Sequence, residues 1–497
     1  MRLQLIAGLV LLPALLPAQH RALAPADSAL IGRILLAEDR RDSTDVALGL
    51  GLRHGDARVR VIARRAKGRI GDAKFAARDS LPPLPPPPVY PEPAWRLRLR
   101  ALSLKSDCNS LRVALADSAW PVRFRAADLV TNACSTDEAI ATTLRAWVDA
   151  LPATATRRTR DGVSWHAAAH ASVALARIRP DDARARIARL AQHRQWQVRQ
   201  YAARAAGVLA DTARLRTLAR DPDDNVKDAA VDALSKLSGH AADDVYLAVL
   251  NARGAQAVRA AAVALKGSPR SDVPAAATAA FKRWVALGNA SSRDARVALL
   301  EAAGRPVTED IPPTGRIGLL PRAVALALGA DVRLRVTMSP ASGGGSFVVR
   351  LRGDVAPLMA SRVLALARAN YYDNLTWQRV EHDFVIQGGS PGANEYVGLA
   401  EYMRDELGTV PHVRGTVGMS TRGHDTGDAQ WFVNLRDNLR LDRDYTVFGE
   451  VVSGIDVVDG ILEGDVISSI EEVTPQDRGN DIGATRVPRA NPMGVQR

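Results

Sequence analysis

Cysteine is nearly absent from this chain: its 497 residues contain two, Cys108 and Cys134. Two thiolates cannot complete a tetrahedral metal cage by themselves. They leave two readings open, one disulfide in an oxidising compartment or a pair of reduced core thiols. Aromatic residues make up only 5% against 47% hydrophobic residues, a balance that favours helices packed through small side chains over long stretches. Lysine is missing from residues 330–475, where 13 Arg stand against 21 Asp and Glu for a net charge of −8. With +2 on residues 476–497 and a total of +12, residues 1–329 carry +18. That excess is mostly arginine spread through helical sequence, without dense basic runs or interleaved aromatics. It reads as a solvated basic surface, and no nucleic-acid partner is expected.

Long apolar runs are also missing, except at the N-terminus. MRLQLIAGLVLLPALLPAQHRALA opens with Arg2, continues with an apolar stretch from about Leu3 to Leu16, and ends on the small residues Ala18, Ala22 and Ala24. The stretch is short and interrupted by proline, which disfavours a membrane span. Its three-part layout is that of a secretory signal peptide over residues 1–24, and no cysteine follows to accept a lipid. The expectation is an exported protein, periplasmic or secreted, with no transmembrane segment after signal removal. A buried first helix or an uncleaved anchor is the alternative.

The part that follows carries a recurrence. A polar or Asp-bearing turn leads into Val-Arg, or a near match, and then an Ala-rich helix. Instances are GDARVRVIARRAKGRI around Val59, DSAWPVRFRAADLV around Val122 and HRQWQVRQYAARAAGVL around Val198. DPDDNVKDAAVDALSKL around Val226 and GAQAVRAAAVALKG around Val258 continue it, with a weaker copy, RDARVALLEAAG, near Val297. Successive valines from Val59 to Val258 lie 63, 76, 28 and 32 residues apart, a period of about thirty with copies skipped or degenerate. Small residues at helical spacing permit close helix approach, and the aspartates suit N-caps. The pattern resembles the HEAT-repeat family. That resemblance implies an all-α superhelical solenoid over residues 25–304, a shape that offers a face to protein partners.

Proline interrupts this region in SLPPLPPPPVYPEPAW, Ser80 to Trp95. Consecutive prolines form an extended strut, read here as a linker or long interhelical loop. A docking strip for a partner, or for a prolyl-binding site of the chain itself, is the sharper alternative. RPVTEDIPPTGRIGLLP, from Arg305 to Pro321, opens a linker over residues 305–330. Residues 476–497 read as a disordered tail. In between, from about Asp331, DVRLRVTM alternates apolar and charged residues, SPASGGGS is a turn, and SFVVRLRG is a second strand, together a hairpin. A helix-like run, PLMASRVLALARANYY, and several short strands separated by Gly and Asp turns follow, an order that suggests a mostly antiparallel barrel.

Four ordered motifs in residues 331–475 carry a specific resemblance: FVVRLRGDVAPLMASRVLALARANYYDN, TWQRVEHDFVIQGGSPG, GTVGMSTRGHDTGDAQWFVNL and LDRDYTVFGEVVSGIDVVDGI. In composition and order they resemble the cyclophilins. The resemblance implies a closed antiparallel β-barrel with flanking helices and peptidyl-prolyl cis–trans isomerase activity, a rotation that needs no nucleophile, metal or cofactor. It makes Arg379 the catalytic donor and Gln387 the residue that orients it. Phe384, Val385, Phe432 and Leu441 become the seat of the proline ring, and Tyr445 lines the pocket. Gln430 and the main chain at Ser420 and Thr421 contact the substrate chain. Three departures stand out. Val385 replaces a usual Met, Ser420-Thr421-Arg422 replaces a common Ala-Asn-Ala, and Arg440 stands where eukaryotic members often have Trp, which puts cyclosporin binding in doubt.

Weaker constellations carry bland readings. His166 and His170 lie four apart on one helix face, but Ala167 stands where a metallopeptidase helix needs Glu. His382 and His424 have no carboxylate partner identifiable from sequence and default to surface histidines. The sequence thus points to an isomerase acting on proline-containing clients and assisting the folding of exported proteins, with the helical repeats as a protein-binding platform. The alternative is a non-catalytic scaffold that holds proline-containing segments.

Overall fold

The computed structural model describes residues 23–72, 84–151, 165–310, 320 and 322–473. The signal-like segment up to residue 22, residues 311–319 and 321 of the 305–330 linker, and the tail lie outside the described residues. Three helices come first, α1 (Pro25–Arg40), α2 (Val46–Leu52) and α3 (Ala57–Gly71). Beyond the proline-rich segment follow α4 (Ala94–Leu104), α5 (Cys108–Ala114), α6 (Trp120–Leu129), α7 (Glu138–Asp149), α8 (Trp165–Ile178) and α9 (Pro180–Ala191). The series continues with α10 (Trp196–Val208), α11 (Thr212–Leu218), α12 (Asp224–Ser238), α13 (Asp243–Val249), α14 (Ala255–Leu265), α15 (Val273–Ala286) and α16 (Arg293–Ala302). Among the described residues no helix is long and apolar enough to cross a membrane.

The recurring turn has a physical basis. Asp56, Asp107, Asp137, Asp211 and Asp223 each accept a main-chain N–H of the following first turn, pairing donors that a helix start leaves open. Val59, Val122, Val198, Val226 and Val258 are all buried. Arg60, Arg123 and Arg199 fold back to donate to the carbonyls of His54, Asp117 and His193, six residues earlier in each case. The valine thus anchors the helix in the core while the arginine fastens the turn. Helices α8, α10, α12, α14 and α16 each pack on the next, with α9, α11, α13 and α15 alongside. One core of small and aliphatic residues runs from Leu99 to Ala302. Cys108 and Cys134 are bonded to each other across 26 positions of sequence. Part of the arginine excess pairs between neighbouring helices, as Arg145–Asp182, Arg186–Asp149 and Arg216–Asp244.

The C-terminal part begins with α17 (Ala323–Ala327), β1 (Arg333–Met338), β2 (Ser346–Leu351) and α18 (Pro357–Arg368). Then come β3 (Arg379–Val380), β4 (Val385–Gly388), β5 (Thr416–Met419), β6 (Trp431–Asn434), β7 (Val447–Ser453), α19 (Ile455–Asp459) and β8 (Ile467–Glu472). The eight strands form one sheet in the order β3-β4-β6-β5-β7-β2-β1-β8, antiparallel at every pairing. The closed barrel expected from sequence is corrected to a curled, half-barrel sheet. Edge strand β3 has only two residues, both paired with β4, so it offers β8 no ladder. Across the gap, among the described residues, one bridge joins Thr376 to Val466, flanked by main-chain bonds from Asn374 N–H to Ile467 O and from Gly464 N–H to Trp377 O.

The first helices pack apart from the later ones. α1–α3 bury Ile31, Ile34, Leu35, Val59 and Ile62 in the same cluster as Leu326, Met359 and Val363 of the C-terminal part. The contact is locked by Arg69 of α3, fully buried. Its Nη1 donates to Glu38 Oε1 at 2.6 Å, and its remaining N–H groups reach Leu407 O at 2.6 and 3.0 Å and Val355 O at 2.9 Å. Burial alone would push Glu38 up, but Arg69 and Arg65 together hold its carboxyl below the usual range. The proline-rich segment also lies on the sheet. Arg350 and Arg352 donate to Pro85 O, Arg414 donates to Pro91 O, and the Tyr90 hydroxyl donates to Val451 O. The described part of the segment, from residue 84, therefore docks along the β2–β7–β5 flank rather than in the apolar pocket.

Replacing Arg69 by Met removes the cation and leaves Glu38 buried with a poorer partner. The expected outcome is a loss of about 3–5 kcal/mol of stability, read by chemical denaturation of the full chain. The double variant Glu38→Gln, Arg69→Met should recover part of it, because no unpaired charge then stays buried.

Candidate active site

Strand alternation separates core from site on one part of the sheet. Ile386, Val417, Met419, Trp431 and Val433 face the interior cluster, whereas Val385, Gln387 and Phe432 face outward. Val385, Phe432 and Leu441 form a separate buried cluster, with Phe384 and Tyr445 packed against it. Phe432 lies over Gly418, where a Cβ would sit 2.4 Å from the ring; only glycine leaves room for that aromatic floor. The imidazole of His412 stacks on Phe432 with centroids 6.0 Å apart, and Tyr445 meets the ring edge-on at 5.9 Å.

The two-residue strand β3 places the polar half of the site. Its register sets Arg379 directly across from Gln387, with Arg379 Nη1 3.5 Å from Gln387 Oε1. The Nε and Nη2 groups of Arg379 instead pair with Glu381 at 2.9 and 2.5 Å. One edge of the guanidinium is therefore held by a carboxylate while the other faces the pocket. Gln387 Nε2 donates to Gln430 Oε1 at 3.3 Å, Gln378 Nε2 donates to the same oxygen at 3.0 Å, and Gln430 Nε2 donates to Glu395 O and Val397 O. Phe384 lies between two guanidinium groups, with the Cζ of Arg440 4.5 Å and that of Arg379 5.8 Å from its ring centroid. Such stacking is worth about 0.5–1 kcal/mol at exposed sites.

The structure thus gathers Arg379, Gln387, Phe384, Val385, Gln430, Phe432, Leu441 and Tyr445 at one place. The Ser420–Arg422 strip differs in detail. The Ser420 N–H is already donated to Gln430 O, so it is not open to a substrate strand, and Arg422 turns away from the pocket. It reaches Asp294 Oδ2 at 2.5 Å, Ser291 O at 3.0 Å and the Tyr402 hydroxyl at 2.9 Å, tying the site to α16. The histidines are committed elsewhere. His166 meets Glu463 O at 2.6 Å and His170 meets Asp128 at 2.7 Å. His424 has the carboxylate partner that its sequence neighbourhood did not reveal, Asp405 at 2.8 Å.

Sequence reasoning missed Glu381 and Gln378, which flank the arginine, and Arg96 of α4. The fully buried Arg96 donates to His382 O at 2.7 Å, Leu435 O at 2.8 Å and Asp459 at 3.0 Å, so the helical part holds the loop that carries Phe384. No local signal marks Arg96, because its partners lie 286, 339 and 363 residues away.

His412 gives the site a pH signature. Burial lowers its pKa from the ordinary 6.5, against the opposing pull of Asp442. A depressed histidine contributes stability that is present above the ordinary value and lost as pH falls through it toward the folded value. Wild type should therefore lose more thermal stability between about pH 7.5 and pH 5 than His412→Phe, which keeps the stacked ring. Equal losses would refute the assignment.

Comparison with known proteins agrees with this geometry. The family model for cyclophilin type peptidyl-prolyl cis-trans isomerase matches residues 335–479. A peptidyl-prolyl cis-trans isomerase of Helicobacter pylori (strain ATCC 700392 / 26695) is 35% identical over 130 residues, 25% of this chain and 80% of that protein. The peptidyl-prolyl cis-trans isomerase ppi1 of Schizosaccharomyces pombe is 35% identical over 133 residues, 26% of this chain and 82% of that protein. Peptidyl-prolyl cis-trans isomerase CYP18-2 of Arabidopsis thaliana is 31% identical over 133 residues, 26% and 77% of the two chains. Through its C-terminal domain this chain belongs to the cyclophilin-type peptidyl-prolyl cis–trans isomerases.

Proposed function

We propose that the isomerase reaction runs at Arg379, on proline-containing segments of exported polypeptides, with the helical array as a platform for clients or partner proteins. The observation that carries this reading is the guanidinium edge of Arg379 facing Gln387 beside the Val385–Phe432–Leu441 pocket. Rotation about an X–Pro bond breaks amide resonance, against a barrier of about 18–20 kcal/mol. A catalyst must seat the ring, anchor the flanking chain and favour the twisted amide over both planar forms. The apolar pocket seats the ring, and Gln387 and Gln430 anchor the chain. Arg379, charged at any working pH, donates toward the nitrogen that becomes pyramidal as resonance is lost. Glu381 fixes the far edge of the guanidinium, so less freedom is lost when the substrate arrives. No covalent bond forms or breaks, so the step calls for no nucleophile, metal or cofactor.

Arg379→Ala should lower kcat/KM for an X–Pro tetrapeptide by about a hundred- to a thousand-fold, with the fold intact by circular dichroism. Unchanged turnover would overturn the assignment. A second reading, a scaffold that holds proline-containing segments without turnover, is favoured by the Arg379–Glu381 pair, which competes for the donor. Tight peptide binding with negligible turnover in wild type would establish it.

The stacking of alternate helices from α8 to α16 supports a HEAT-like solenoid. Export is supported by the signal-like N-terminus and by the bonded cysteine pair, a linkage that persists in oxidising compartments. N-terminal sequencing of the protein from a periplasmic or extracellular fraction should begin near Pro25. Recovery only in the cytoplasm with Met1 in place would refute export.

A further inference from the structure

A cleft of about 580 Å³ lies between the β3–β4 hairpin and helices α10, α12 and α14, within the range of about 300–1,000 Å³ typical of ligand sites. Gln378, Arg379 and Gln387 line it from the hairpin, and Gln200, Ser235 and Gln256 line it from the helices. Its width is set by hydrogen bonds that cross directly between the two parts. Asn225 Nδ2 donates to Gly392 O at 3.0 Å, and Asn394 Nδ2 donates to Asn225 Oδ1 at 3.1 Å.

Among the described residues, two acceptors in this cleft have no partner. Gln256 is only 7% exposed. Its Nε2 donates to Asp228 at 2.9 Å, while its Oε1 is buried and unbonded. On the opposite wall Gln378 has spent its Nε2 on Gln430, and its Oε1 is likewise buried and unbonded. Buried acceptors are almost always paired in folded proteins, so both ask for an N–H donor. An extended polypeptide supplies one N–H per residue, proline excepted, at a spacing of about 3.3–3.6 Å.

We propose that this cleft is the second half of the substrate site, taking the extended main chain that flanks the prolyl bond and accepting its N–H groups at Gln256 and Gln378. Resting on the isomerase reading above, the assignment makes the helical array part of substrate recognition rather than a remote platform. It suits unfolded segments, whose main-chain N–H groups are not spent within secondary structure.

The test uses the full chain and two substrates: an X–Pro tetrapeptide, and a peptide of roughly a dozen residues with the same X–Pro core, long enough to run from the pocket through the cleft. Isomerisation is followed by NMR exchange spectroscopy in wild type, Gln256→Ala, and Ser235→Trp, which fills the cleft from the helical side. Wild type should favour the longer peptide in kcat/KM. Each variant should lower the ratio of long-peptide to tetrapeptide kcat/KM by about three- to ten-fold, the weight of a hydrogen bond or two. A ratio of one in wild type, or a ratio untouched by both variants, overturns the proposal. If wild type turns over neither peptide, the isomerase reading fails on its own, and calorimetric binding of the longer peptide decides the cleft. Weaker binding in both variants sustains it, and unchanged binding overturns it.

Discussion

Buried guanidinium groups that end on main-chain carbonyls hold this protein together. Arg69 joins the first helices to the segments before α18 and β5, and Arg96 joins α4 to the loop after β3 and to the end of β6. Arg414 adds a bond to Leu435 O and a pair with Asp459, the same two partners that Arg96 uses. An arginine cannot shed its charge and carries five donors in a rigid fork. Buried, it needs acceptors at fixed positions around it, and a wrong approach of the two parts leaves those donors bare. Apolar contacts tolerate sliding; these forks do not. They fix how the helical part and the sheet meet.

That constraint reaches the chemistry through a short strand. β3 has two residues, too few to hold itself rigid by ladder hydrogen bonds alone, yet it carries Arg379. What steadies it is on both sides. Gln387 meets Arg379 from the sheet, Gln430 accepts from Gln378 just before the strand, and Arg96 donates to the carbonyl of His382 from the helices. Trp95 stands edge-on to His382 beside that contact, with centroids 5.9 Å apart. The weak edge of a curled sheet is thereby reinforced by a neighbouring body, which lets it expose a charged side chain without loosening the strand behind it.

The same interface reaches the rim of the pocket. Arg422 spends its donors on Ser291 and Asp294 of the helical part. Arg440 stacks on Phe384. Both leave the Val385–Phe432–Leu441 cluster and the Arg379–Gln387 pair in place. Both shape what flanks them, and Arg422 does so while holding the helices.

Much of the site was legible in sequence. The Arg379-to-Gln387 spacing, the buried Phe432 and the Val-Arg turns all lie in short windows, where hairpin register and helix period translate position directly into direction. The linear chain also showed that helices precede strands, since apolar periodicity is a local property. It did not show that α1–α3 share the sheet's core, that the sheet stays open at β3, that Arg96 reaches the loop after β3, or that Arg422 reaches α16. Those depend on contacts between residues more than a hundred positions apart, which no local pattern encodes. Sequence alone determined the reaction class and named residues that the fold brings to one pocket. Only the tertiary structure decided what stands opposite them, because the fit of buried donors to distant carbonyls exists only after the chain has closed on itself.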